Sequence, residues 1–113
     1  MDENMVQNAM QIILHAGNAR LQCKKALECI SNNDFENAKV LMKEAQNDIT
    51  KAHQLQTDAI QDETRGEKKE YSLLFAHAQD TLMTIYSELN IAKQMIAIFE
   101  SYEKRLQILE AKV

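Results

Sequence analysis

The sequence predicts an all-α fold, an antiparallel three-helix bundle, and three observations support this class. The 113 residues include no proline and only two glycines, so the chain is poor in residues that make tight reversals between strands. Residues that favour helices, such as Ala, Leu, Lys, Glu, Gln and Met, are frequent instead. Apolar residues recur at spacings of three and four, the period of an amphipathic helix. The length indicates one domain covering residues 1–113.

The first helix is expected over about residues 5–30. Its apolar stripe follows the spacing of a buried helical face and is interrupted by Arg20. Residues 31–34 supply turn-forming side chains, and Asn33 with Glu36 resembles a capping box for the next helix. A short connection makes that helix antiparallel to the first. The predicted stripe consists of Val6, Ala9, Ile13, Ala16, Cys23, Leu27 and Ile30.

The second helix is expected over about residues 34–60. Its stripe is rich in alanine, which lets a neighbouring helix approach closely, and Asp48 interrupts it. The charged segment 62–69 that follows lacks periodicity and contains one of the two glycines, so we expect a mobile loop there. The predicted stripe consists of Ala38, Leu41, Ala45, Ala52, Leu55 and Ala59.

The third helix is expected over about residues 70–111 and carries two stripes. At about 100° per residue, their centres are about 130° apart. A three-helix subunit covers one stripe per helix, so the second stripe would leave an apolar patch that marks an interface. We therefore expect self-association through this helix around a symmetry axis. The first stripe is Leu74, Ala78, Leu82, Ile85, Leu89, Ala92, Ile96 and Phe99; the second is His77, Asp80, Thr84, Ile91, Met95, Ile98 and Tyr102.

Charge and composition exclude several classes of protein. The net charge of −4 and the absence of a clustered Lys/Arg stripe argue against nucleic-acid binding. No stretch approaches about 18 consecutive apolar residues, and the N-terminus is acidic and polar, which argues against membrane insertion and against a secretory signal. A cytoplasmic location is expected. Cys23 and Cys29 would lie about 9 Å apart along one helix, too far for a disulfide, and are expected to be small packing residues.

His77 and Asp80 are the residues with the clearest chemical potential. They are three positions apart on a predicted helix and therefore share a face. A neutral imidazole is a nucleophile or a base near pH 7, and a neighbouring carboxylate can orient it, balance its charge or bind a cation. The same spacing also occurs in solvated or capping pairs.

The segment HAQD at positions 77–80, following an apolar YSLL run, resembles the lactose/cellobiose family of enzyme IIA proteins of the bacterial sugar phosphotransferase system. Two departures from the family pattern are visible: Thr81 stands where a second histidine is usual, and Asn33 replaces a usual glycine. Three further stretches agree in order, namely HAGNAR at 15–20, NDFENAKVLMKEA at 33–45 and AHQLQT at 52–57.

The resemblance implies a fold, an activity and partners. Family members are three-helix subunits packed as homotrimers, and they act as phosphotransferase components. His77 would accept a phosphoryl group from the phosphocarrier protein HPr, on the ring nitrogen remote from the backbone, and pass it to a cysteine of the cognate IIB component. This relay would drive uptake and phosphorylation of a β-linked disaccharide of the cellobiose, lactose or chitobiose type.

The resemblance also implies a metal ion bound by Asp80 and shared by the three subunits. Three carboxylates around an axis would repel by about 4 kcal/mol per pair at about 4 Å and an effective dielectric constant near 20. A hard divalent cation such as Mg²⁺ offsets that repulsion. Its role would be structural, because one axial ion cannot lie in line with three separate histidines. The alternatives are that Asp80 is protonated or hydrogen-bonds to His77.

Three further residues are candidate contacts. Arg20 and Gln79 are expected to hold phosphate oxygens or to form an internal ion pair or hydrogen bond. Phe75 is expected to be exposed near His77 and to help dock the partner proteins. His15 and His53 are expected to be packing residues.

Two other functions are alternatives to the relay. A helical interaction or regulatory protein would use the third helix for assembly alone. A metal-dependent helical enzyme or storage bundle would need Glu-x-x-His pairs, and the sequence has none. Threonine at position 81 likewise excludes a zinc-type histidine pair with His77.

Overall fold

The structure is a computed structural model that describes residues 3–65 and 72–113, with side chains described outside 63–65. It contains three helices, α1 (Glu3–Ser31), α2 (Phe35–Arg65) and α3 (Leu73–Ala111), and no strand within the described residues. α2 runs antiparallel to α1, and α3 returns parallel to α1. The predicted all-α three-helix fold is confirmed. No helix of the described part of the chain is long and apolar enough to cross a membrane.

The turn between α1 and α2 is a Schellman motif centred on Asn33. Asn33 has a φ of 62°, in the left-handed region, and the amide of Asp34 donates to the carbonyl of Cys29 at 2.8 Å. Asp34 then caps α2, since its Oδ1 accepts a hydrogen bond from the amide of Asn37 at 3.2 Å. The predicted capping pair of Asn33 and Glu36 is therefore wrong by one residue.

The connection between α2 and α3 differs from the sequence prediction. α2 continues through Arg65, so the loop predicted for 62–69 is wrong for its first four residues, and positions 66–69 lie outside the described residues. Gln, Glu and Arg have high helix propensity, so α2 can continue beyond the end of its apolar stripe. Ser72 caps α3, and its Oγ accepts from the amide of Phe75 at 3.1 Å. The predicted start at residue 70 also lies outside the described residues.

The core runs along the three helices, and its buried residues are mostly alanines in α1 and α2 and mostly larger residues in α3. Its largest fully buried side chains are Ile12, Ile49, Leu82, Ile85 and Leu89. Small residues let the helix axes approach closely, while the larger side chains of α3 fill the remaining space. This packing leaves the face of α3 that points away from α1 and α2 without cover.

In α1 and α2, the buried face is rotated about the helix axis relative to the predicted stripe. In α1, Ile12 is buried while Ile13 is half-buried, and in α2 Met42 is buried while Leu41 is half-buried. α1 contacts both α2 and α3, so its buried arc points between them. Phe99, predicted for the core stripe of α3, is 46% exposed, because it lies near the end of the bundle. The two cysteines are free; Cys23 is buried and Cys29 is half-buried.

Candidate functional site

His77 lies in the second turn of α3, and its side chain is exposed. The helix is anchored just before it by the Ser72 cap and just after it by Thr81, whose hydroxyl donates to the carbonyl of His77 at 2.8 Å. None of the hydrogen bonds or ion pairs within the described residues involves the His77 imidazole. The ring is thus held at the surface with its nitrogens accessible to another protein.

Asp80 is exposed one turn later, on the same side of α3 as His77. Within the described part of the chain, the Asp80 carboxylate forms no hydrogen bond with His77, and no group of three or more His, Cys, Asp or Glu residues could hold a metal ion. One copy of the chain therefore presents Asp80 without further His, Cys, Asp or Glu ligands among the described residues.

Arg20 is engaged in the contact between α1 and α3. Its Nε and one terminal nitrogen donate to both carboxylate oxygens of Glu88, at 2.9 and 2.8 Å, and this hydrogen bonding raises the pKa of Arg20. Glu88 is about 16 Å along the helix axis from His77 at 1.5 Å per residue. Of the two roles considered for Arg20, the structure shows the internal ion pair. Gln79 is half-buried, and its phosphate contact stays a prediction.

Phe75 does not have the exposure that the sequence suggested. Its side chain is 8% exposed and belongs to the hydrophobic core, so the expectation that Phe75 is exposed is wrong, and a role in docking stays a prediction. The apolar residue beside His77 is instead Leu73, which is 74% exposed. Leu73 precedes His77 by four positions and therefore lies on its face. That spacing was the sequence signal that could have identified it.

The other two histidines are structural contacts between helices. His15 Nδ1 lies 3.1 Å from Asp48 Oδ1, and both side chains are largely buried. Asp48, which interrupts the predicted stripe of α2, thus pairs with α1. The ring of His53 packs edge-on against Tyr86, with 4.9 Å between ring centroids. Neither ring is presented at the surface as that of His77 is.

The second stripe of α3 is exposed along its length. Ile91 is 59% exposed, Ile98 50% and Tyr102 52%. A groove of about 550 Å³ runs on the α1 side of the stripe, and another of about 650 Å³ runs along its other side. An apolar ridge flanked by two grooves can interlock with a copy of itself.

The chain was compared with known proteins. Residues 7–100 match the model of the family described as "PTS system, Lactose/Cellobiose specific IIA subunit". The chain is 40% identical over 100 residues to the lichenan-specific phosphotransferase enzyme IIA component of Bacillus subtilis, covering 88% of this chain and 91% of that protein. It is 35% identical over 101 residues to the lactose-specific EIIA component of Lacticaseibacillus casei, covering 89% and 87%.

Solved structures give the same result. The cellobiose-specific enzyme IIA of Bacillus anthracis superposes with a TM-score of 0.84 at 36% identity, over 92% of this chain and 95% of that one. The chitobiose IIA from its complex with HPr, of the Escherichia coli phosphotransferase system, superposes with a TM-score of 0.75 at 27% identity, over 91% and 99%. The chain therefore belongs to the lactose/cellobiose-specific IIA family, the sugar-specific phosphotransferase components that carry phosphoryl groups.

Proposed function

We propose that this chain is a phosphocarrier in which His77 accepts a phosphoryl group from HPr and passes it to a cysteine of a IIB component. The exposed His77 imidazole, which has no partner within the described residues, carries this proposal. The sugar would be a β-linked disaccharide of the cellobiose, lactose or chitobiose type, in keeping with relatives named for cellobiose and lactose. The proposal includes the cytoplasmic location expected from the sequence.

Phosphoryl transfer requires little of the chain beyond correct placement of the His77 ring. The lone pair of one ring nitrogen forms the new N–P bond while the bond between phosphorus and the donor breaks. In the second step, a thiolate of IIB attacks phosphorus and the ring nitrogen leaves. Phosphoryl transfer of this kind depends mainly on in-line approach, and an exposed ring on a rigid helix permits it from solvent. Exposed Leu73 gives the incoming protein an apolar contact beside the ring.

Self-association through α3 is part of the proposal. Ile91, Met95 and Ile98 form a continuous apolar ridge in the isolated chain, and burying such a ridge against copies of itself removes it from water. The grooves on either side of the ridge can receive the ridges of neighbouring copies. The number of copies, three, comes from the family resemblance.

A structural Mg²⁺ bound by Asp80 follows from the same assembly. Asp80 and Ile91 are eleven positions apart, which is close to three helical turns, so they occupy the same angular position on α3. If Ile91 faces the axis, so does Asp80. Copies of Asp80 would then offer the carboxylate oxygens that Mg²⁺ prefers, with water completing its shell.

Transfer of labelled phosphate from phosphoenolpyruvate through the general phosphotransferase proteins tests the relay. Wild-type protein and His53→Ala should both become labelled, because the His53 ring packs against Tyr86 inside the bundle. His77→Ala should stay unlabelled while remaining folded, since its side chain is exposed. Labelling of His77→Ala at the wild-type level would refute the assignment of His77. A folded, assembled wild type that stays unlabelled would favour an assembly-only protein.

A further inference from the structure

His77 lies on the side of α3 that packs against α1. Glu88 follows His77 by eleven positions, which is close to three helical turns, so the two residues share one side of the helix. Glu88 pairs with Arg20 of α1 through two hydrogen bonds, at 2.9 and 2.8 Å. The His77 side chain therefore projects from the α1 side of α3.

Gln79 lies on the other side of α3, which packs against α2. Tyr86 follows Gln79 by seven positions and Lys93 follows it by fourteen, so the three residues share one side. Tyr86 packs against a histidine ring of α2, and Lys93 donates a hydrogen bond to a glutamine of α2. At about 100° per residue, Gln79 and His77 are about 160° apart around the helix. Within one chain, the Gln79 amide therefore lies away from the His77 ring.

The Gln79 amide is half-buried and is not used by the chain itself. None of the hydrogen bonds among the described residues involves this amide. Its two N–H groups are donors, and a partly covered amide loses some of its hydration without gaining a partner in exchange. A group from another molecule can therefore accept from Gln79 at little cost to the fold.

The neighbours of His77 on α3 do not favour a phosphoryl group. Such a group carries about −1.5 to −2 charges near pH 7. Leu73 is apolar, Asp80 is acidic, and the Thr81 hydroxyl already donates to the His77 carbonyl at 2.8 Å. The residues that share the face of His77 thus offer repulsion from one carboxylate and no cation.

The part of α1 beside His77 is uncharged. The pair of Arg20 with Glu88 sets the register of the two parallel helices, so residues 6–13 are the turns of α1 that lie level with His77. No residue in that stretch is charged. Its polar members lie at least about 120° around α1 from Arg20, which marks the side near α3. Beside His77, the described residues of one chain therefore supply no cation to a phosphoryl group.

A ring of copies brings the two sides of α3 together. In a ring of three, each contact is heterologous, so the α1 side of α3 in one copy faces the α2 side of α3 in the next. His77 and Gln79 differ by two positions, or about 3 Å along the axis, and therefore lie at nearly the same level. Packed helix axes are about 8–10 Å apart. The His77 ring of one copy and the Gln79 amide of the next are then within reach of each other.

We propose that the Gln79 amide of one copy donates a hydrogen bond to the phosphoryl group on His77 of the neighbouring copy. The inference rests on the proposed phosphoryl transfer by His77 and on the proposed self-association. The amide stabilises an equatorial phosphoryl oxygen during transfer and in the phosphorylated protein, and it gives up no proton. Each phosphoryl site is thus built from two copies of the chain.

Gln79→Leu tests the role of the amide, because leucine is of similar size and has no donor. The initial rate of labelling by phosphorylated HPr should fall by roughly tenfold to a hundredfold, as expected for one hydrogen bond to a charged group. Gln56→Leu is the control, since it removes another half-buried glutamine, on α2; its rate should equal that of wild type. Both variants should stay folded and assembled. Labelling of Gln79→Leu at the wild-type rate would overturn the proposal.

Mixed assemblies test whether the contact is made between copies. Gln79→Leu chains are co-expressed with an excess of His77→Ala chains, which lack the acceptor but carry Gln79. Labelling of the Gln79→Leu chains should recover towards the wild-type rate, because most of them then have an intact Gln79 beside His77. An excess of chains with both substitutions is the control and should give no recovery. Labelling that stays low with either excess would overturn the contact between copies.

Wild-type protein separates this proposal from the two on which it rests. An unlabelled wild type would refute phosphoryl transfer by His77. A wild type that is labelled as a monomer would refute the self-association and, with it, the contact between copies. If wild type is labelled and assembled but the mixed assemblies show no recovery, the Gln79 contact alone is refuted.

Discussion

Phe75 and Leu73 show how two neighbouring apolar residues take different roles at the start of α3. Phe75 is 8% exposed and lies in the core, whereas Leu73 is 74% exposed on the face of His77. The Ser72 cap sets the rotation of the first turn through its bond to the Phe75 amide. That rotation directs Phe75 inwards and leaves Leu73 in water.

Phe75→Ala should lower the free energy of unfolding by about 3–5 kcal/mol, the usual cost of removing a buried aromatic side chain. Leu73→Ala should change it by less than about 0.5 kcal/mol, as is typical of exposed positions. Urea denaturation followed by circular dichroism measures both. Leu73→Ala should also slow phosphoryl transfer from HPr. Equal stability of the two variants would contradict the burial of Phe75.

At the scale of elements, the α1–α2 turn depends on the left-handed backbone of Asn33. Its φ of 62° lies in a region that glycine adopts freely, that asparagine tolerates, and that costs other residues about 1–2 kcal/mol. The turn directs α2 back along α1 and thereby sets the register in which His15 meets Asp48.

Asn33→Ala should destabilise the protein by about 1 kcal/mol, because alanine pays the cost of the left-handed conformation. Asn33→Gly should be as stable as wild type or more so, since glycine meets no steric penalty there. Thermal or urea unfolding of wild type and the two variants gives the order of their stabilities. If alanine were tolerated as well as glycine, the turn would not require a positive φ.

The sequence predicted the three helices better than it predicted where they end and which face of each is buried. From Ala78 to Ile96 the core face of α3 keeps one spacing, and those positions are buried as predicted. The buried face of α1 is rotated about the helix axis relative to the predicted one. The spacing of apolar residues alone does not reveal that a helix packs against two neighbours. The end of α2 was missed since its charged last turns are helical without an apolar face. The segment HAQD singled out His77 and Asp80 as candidates, and their roles stay predictions. The pairing of Arg20 with Glu88 could not be predicted, because it depends on the register of α1 and α3.

For the whole molecule, the proposed assembly along α3 would bring copies of Asp80 together. The mutual repulsion of these carboxylates opposes assembly unless a cation or protons offset it. The apolar layers at Ile91 and Ile98 favour assembly. A divalent cation should therefore stabilise the assembled protein more than it stabilises a single chain.

Removing divalent cations with EDTA should lower the unfolding temperature of assembled wild-type protein, and Mg²⁺ should restore it. At a free concentration one hundred times its Kd, the ion adds about 2.7 kcal/mol. Asp80→Asn should remain assembled and stop responding to either reagent, because amides do not repel one another. Scanning calorimetry measures the shifts. A wild type indifferent to EDTA and to Mg²⁺ would argue against the metal.

Locating the phosphate on wild-type protein shows whether His77 carries the phosphoryl group. The chain is charged by phosphoenolpyruvate and the general phosphotransferase proteins, digested under alkaline conditions and mapped by mass spectrometry. We predict one phosphoryl group per chain, on His77, lost when a IIB component is added. A phosphoryl group on His15 or His53, or one that IIB does not remove, would refute His77 as the carrier.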